Sequence, residues 1–141
     1  MKTFYSASEQ QTGDIAEEIC RSIRPGSVVA FKGGLGMGKT AFVRGALRAY
    51  GNDSFVSSPT FALVHDYGGS PHLYHFDMYR VTGWDDLYST GFFDYLNDDS
   101  VLFIEWSENV ESALPDNTVL VEIAQGEGPD DRVITVSGGD F

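Results

Sequence analysis

Apolar positions recur along this chain with two periods. Ile15, Ile19 and Ile23 lie four residues apart, the spacing of one helix face. Ser8 followed by Gln11 is a helix-start pair, so a helix is predicted from Ser8 to about Ile23, broken by Arg24-Pro25-Gly26. Phe42, Val43, Ala46 and Leu47 mark a second helix from Thr40 to Tyr50, ended by Gly51-Asn52. The runs Ser27 to Phe31 and Val101 to Ile104 are short and almost continuously apolar, as buried parallel strands are. Thr3 to Ala7, Thr118 to Ala124 and Arg132 to Ser137 read as further strands. Phe61 to Tyr67 and His72 to Tyr79 read as a hairpin around Gly68-Gly69-Ser70-Pro71. Trp84 to Tyr88 and Phe92 to Leu96 are predicted as short helices parted by Gly91. Phe92, Phe93 and Tyr95 default to core. This mixture predicts a three-layer α/β domain with a mixed sheet.

A length of 141 residues fits one domain, 1–141, with room for a real core. No apolar run approaches the ~18 residues of a membrane span, and Met1 to Ser6 lacks a signal-peptide pattern. The single Cys20 forms no internal disulfide and reads as a packed thiol. A cytoplasmic protein without membrane contact is expected. The net charge of −12 opposes wide, unassisted contact with nucleic acid phosphates. Acid is densest at Asp85-Asp86, Asp98-Asp99 and Glu127 to Asp131, which reads as solvated surface or as docking surface for a basic partner.

The chemistry centres on Gly33-Gly34-Leu35-Gly36-Met37-Gly38-Lys39-Thr40, which matches the phosphate-binding loop G-x-x-x-x-G-K-[ST]. Gly33, Gly36 and Gly38 let backbone N–H groups approach a phosphate. Lys39 supplies a point charge for the β- and γ-phosphates, and the Thr40 hydroxyl is a ligand for Mg²⁺. A strand before the loop and a helix after it complete an anion site.

Such a loop needs a carboxylate at a strand end. Asp77 follows Leu73-Tyr74-His75-Phe76, and Glu105 follows Val101-Leu102-Phe103-Ile104. Asp77 is assigned as the Mg²⁺ carboxylate and Glu105 as the group that orients or deprotonates water; the sequence equally allows the reverse, so both are catalytic and metal positions. Thr60, in Ser57-Ser58-Pro59-Thr60, reads as a switch threonine or as a plain turn residue. Trp106 either packs beside the nucleotide or belongs to the core. Arg80 is either a phosphate partner or a surface residue. His65, His72 and His75 read as polar hairpin residues, since no tight metal motif accompanies them.

Taken in order, Gly-Gly-Leu-Gly-Met-Gly-Lys-Thr-Ala-Phe-Val-Arg-Gly, Ser-Ser-Pro-Thr-Phe, Tyr-His-Phe-Asp-Met-Tyr-Arg and Ile-Glu-Trp make the chain similar to the TsaE (YjeE) family of bacterial ATPases. The resemblance spans roughly Thr3 to Val136. It implies a P-loop ATPase fold, with ATP and Mg²⁺ bound by the loop from Gly33 to Ala41, that is Gly33, Gly34, Leu35, Gly36, Met37, Gly38, Lys39, Thr40 and Ala41. It also implies Thr12 and Trp106 beside the nucleotide and Asp77 and Glu105 as the acidic positions. The partners it implies are TsaB and TsaD, which form threonylcarbamoyladenosine in tRNA, with tRNA reached only through them. Three positions depart from the family pattern, one of them Met37, which stands where an alanine is usual. Gly34 stands where an aspartate is usual, and Ser107 stands where a proline is common; loss of proline predicts a looser backbone there.

Rival readings share the loop. A small-molecule kinase needs arginines that close over the transferred phosphate, and only nine Lys and Arg occur. A GTPase reading has Asp66-Tyr67-Gly68-Gly69 but no guanine-reading motif. A nucleotide-sensing assembly subunit would use the same loop without turnover.

Overall fold

The computed structural model describes residues 1–32, 38–53, 64–78, 81–139 and 141. Gly33 to Met37, Ser57 to Thr60 and Arg80 of the predicted site lie outside them, as do 61–63 and Tyr79 of the predicted hairpin.

The chain opens with β1 (Lys2–Ser6) and α1 (Glu9–Cys20). The helix start is the predicted pair, shifted by one donor: Ser8 Oγ accepts from the Gln11 N–H (3.1 Å), and Gln11 Oε1 accepts from the Ala7 N–H (2.8 Å). The helix stops at Cys20, three residues before the predicted end, and Ile23 joins the core from the following turn. Next come β2 (Val28–Lys32), α2 (Lys39–Ala49), the hairpin β3 (Val64–Gly68) and β4 (His72–Asp77), and α3 (Trp84–Ser89). A 3₁₀ turn (Phe92–Tyr95), β5 (Ser100–Glu105), a second 3₁₀ segment (Ser107–Ala113), β6 (Val119–Gln125) and β7 (Arg132–Ser137) complete it. The segment at Ser107–Ala113 carries no helical periodicity and was not predicted.

All seven strands form one mixed sheet in the order β1-β7-β6-β2-β5-β4-β3. The inner strands β6, β2, β5 and β4 are parallel; β1, β7 and β3 join antiparallel at the edges. Parallel strands buried on both faces read as continuous apolar runs, and β5 shows the division: Val101 and Phe103 face α1 and α2, while Leu102 and Ile104 face α3 and the 3₁₀ segments. The domain is therefore three layers, with Phe92 fully buried and Phe93 and Tyr95 packed against the core. Gly45 sets the approach of α2 to α1, because a Cβ there would lie 1.9 Å from the Gly13 carbonyl oxygen.

Candidate functional site

The parallel strands all end at the same sheet edge, where ligands bind in open α/β sheets. β2 ends at Lys32, and α2 is capped by Gly38, whose φ of 97° lies in the left-handed region that favours glycine. Lys39 and Thr40 begin the first turn of α2, where the helix dipole favours an anion. Lys39 is buried, only 4% exposed, and its Nζ stands 5.7 Å from the centroid of the Trp106 ring, a cation over an aromatic face. Thr12 is buried on α1, its methyl in ordinary contact range of a Cβ built on Gly38 (3.8 Å). Its hydroxyl meets Ser6 Oγ at 2.7 Å. Because Ser6 Oγ donates to the Ser8 carbonyl (2.8 Å), Thr12 is the donor of that pair. Ser6 also lines a cavity of about 630 Å³, together with Tyr5, Gln11, Gln125, Gly126 and Arg132. Ala41 is buried in the same first turns of α2.

Asp77 and Glu105 end adjacent parallel strands and are paired in register. Side chains alternate along a strand, so Asp77 and Glu105 share a face with Phe103 and Leu73, the face that α2 covers. Glu105 is mostly buried, its side chain 12% exposed. Trp106 follows at φ 59°, a left-handed conformation that strains a bulky residue. Ser107 Oγ donates to the Phe31 carbonyl of β2 (2.9 Å) in a buried bond. The expectation that serine loosens this turn is therefore corrected: the hydroxyl ties β5 to β2 in a way proline cannot.

His75 departs from the sequence reading most. It is fully buried rather than a polar hairpin residue, with Nδ1 3.1 Å from the Tyr67 hydroxyl and Nε2 2.8 Å from Glu105 Oε2. The Nε2 contact lacks hydrogen-bond alignment. Burial and then the Glu105 charge push the Tyr67 hydroxyl up to about 12. His65 lies opposite His75 in the β3–β4 register; desolvation and then His75 lower its pKa. His72 instead pairs with Asp66 at the hairpin surface. The missed signal was position: His75 stands two residues before Asp77 and so on its face. Cys20 is buried as predicted, its thiol pushed up to about 12 by desolvation.

The oxygen donors Thr40, Asp77 and Glu105 suit a hard cation such as Mg²⁺, which takes one or two carboxylates plus substrate phosphates rather than a full protein cage. No cluster of three or more His, Cys, Asp or Glu fit for a metal occurs among the described residues.

Fold and site define a mixed-sheet α/β domain with a helix N-terminus and two strand-end carboxylates at one sheet edge. The family model described as "Threonylcarbamoyl adenosine biosynthesis protein TsaE" matches residues 6–134, and the chain belongs to the TsaE family. A Haemophilus influenzae protein named tRNA threonylcarbamoyladenosine biosynthesis protein TsaE is 42% identical over 97 residues, 68% of this chain and 61% of that protein. The protein of the same name from Treponema pallidum is 37% identical over 118 residues, 84% of this chain and 87% of its own. The crystal structure of Bacillus subtilis YdiB superposes with a TM-score of 0.75 at 28% identity, covering 97% of this chain and 84% of that one. No helix among the described residues is long and apolar enough to cross a membrane.

Proposed function

We propose that the protein is a Mg²⁺-dependent ATPase that serves threonylcarbamoyladenosine formation in tRNA by acting on a TsaB–TsaD complex, with tRNA reached only through that complex. The observation that carries this reading is that the α2 start at Lys39-Thr40 and the register-paired Asp77 and Glu105 lie at the same sheet edge. Lys39 and the α2 N–H groups receive the phosphates. Thr40 and Asp77 would hold Mg²⁺, which would supply charge neutralisation to the bound phosphates. Glu105 orients water and takes its proton. Trp106 covers Lys39 and excludes solvent, and Thr12 steadies the loop at Gly38. The cavity beside Ser6 offers room for the rest of the nucleotide. With nine Lys and Arg in the chain and no arginine-rich lid in its sequence, the isolated protein is expected to turn over slowly.

The test is ATP hydrolysis with and without Mg²⁺, TsaB–TsaD and tRNA. Stimulation by the complex is expected, and Lys39→Ala should weaken ATP binding roughly tenfold or more, as loss of a charged hydrogen bond does. Phosphate appearing on a small acceptor instead would establish a kinase. Pathway function that survives Glu105→Gln while hydrolysis vanishes would establish a nucleotide-sensing subunit.

A further inference from the structure

We propose that His75 is a positioning residue for Glu105: its buried imidazole, steadied by the Tyr67 hydroxyl, fixes the carboxylate at the strand end. The inference rests on the reading of Glu105 as the group that handles water.

A wholly buried imidazole must satisfy two ring nitrogens of opposite character, one donor and one acceptor when neutral. Here the two neighbours settle which is which. The Tyr67 hydroxyl stands 3.1 Å from Nδ1, and a phenol keeps its proton at neutral pH, so it donates and Nδ1 accepts. The ring proton is then on Nε2, 2.8 Å from Glu105 Oε2. A carboxylate can only accept, so the proton-bearing nitrogen lies against it, in close contact though out of hydrogen-bond line, and Tyr67, His75 and Glu105 stand in one sequence of contacts. Its far end is anchored too. Asn52, just beyond α2, donates its side-chain amide to the carbonyls of Tyr67 (3.1 Å) and Gly68 (3.2 Å).

Glu105 needs such a hold. Its register partner is Asp77, so two carboxylates stand side by side on one face, and repulsion would turn either away. His75 lies two residues before Asp77 on that face and reaches diagonally across to Glu105. It takes one carboxylate oxygen and limits rotation of the other. Partners that orient a functional group through close contact typically change activity by about 10–100-fold when removed.

The test uses the full-length protein with TsaB–TsaD and tRNA. His75→Leu is expected to lower kcat at least about tenfold, with the Kd for a fluorescent ATP analogue nearly unchanged. His75→Gln places an amide N–H near the Nε2 position and should recover most of the loss; Tyr67→Phe should fall between. Wild-type kcat in the leucine variant, or glutamine no better than leucine, would overturn the proposal. Should the leucine variant fail to fold, the glutamine and Tyr67→Phe variants decide it. Nitrogen-15 NMR of the His75 ring adds a readout that needs no hydrolysis. The proton is expected on Nε2, with a resonance that moves in Glu105→Gln; a proton on Nδ1 would refute the assignment. A wild-type protein that hydrolyses no ATP would sink the proposed function, while the NMR result would still decide whether His75 holds Glu105.

Discussion

Ser107 does more than its size suggests. It follows Trp106, held at φ 59°, a conformation that costs a bulky residue on the order of 1–3 kcal/mol. The Ser107 hydroxyl bonds the Phe31 carbonyl in a buried site, so it fixes the strained turn to β2. Ser107→Ala should therefore destabilise the protein by about 1–3 kcal/mol, the cost of leaving a buried acceptor unpaired, read as a lower midpoint in urea denaturation. The same variant should let the Trp106 ring move off Lys39, read as a change in tryptophan fluorescence. A midpoint and spectrum equal to wild type would mean that the turn is held by other contacts.

At the scale of elements, the contact of α1 with α2 decides where Thr12 sits. A Cβ on Gly45 would meet the Gly13 carbonyl oxygen at 1.9 Å, and backbone cannot yield cheaply; a Cβ on Gly13 would meet the flexible end of Arg48 at 3.0 Å. Gly45→Ala should thus cost about 1–3 kcal/mol by overpacking, despite the ~1 kcal/mol that alanine gains over glycine in a helix. Gly13→Ala should be near neutral. Urea midpoints of the two variants check this, and equal effects would contradict it. Gly45→Ala should also weaken ATP binding, because moving α1 moves Thr12 away from Gly38. Periodicity foretold both helices, the buried parallel strands and the hairpin, because each element writes its own repeat. It also foretold Asp77 and Glu105 at strand ends. It could not foretell their pairing, which depends on β4 and β5 becoming neighbours, nor the burial of His75, which depends on α2 covering that face. The Gly13–Gly45 approach was equally hidden: two glycines 32 positions apart carry no local signal. The Ser107–Ala113 segment escaped because a 3₁₀ turn has no sustained period.

The molecule as a whole presents an acidic surface. The formal charge is −12, and Asp85, Asp86, Asp98, Asp99, Glu127 and Asp130 are all exposed. Asp86 accepts from the hydroxyl (2.6 Å) and the backbone N–H (3.1 Å) of Thr82, which hold its carboxyl below the usual range and so keep it charged as pH falls. Such a surface repels tRNA phosphates and other copies of itself, and attracts a basic protein face. In the proposed role, it lets the ATPase approach a tRNA-bearing complex only through protein. Two binding measurements follow. Association with TsaB–TsaD should weaken several-fold between about 50 and 300 mM salt, mainly through a slower on-rate, as steered encounters do. Direct binding to free tRNA should be undetectable at either salt concentration. An affinity for the complex that ignores salt would place the acid away from the interface and leave docking to apolar contacts. Tight binding to free tRNA would overturn the indirect route, because a chain this acidic would then need a concentrated basic patch to offset its own field.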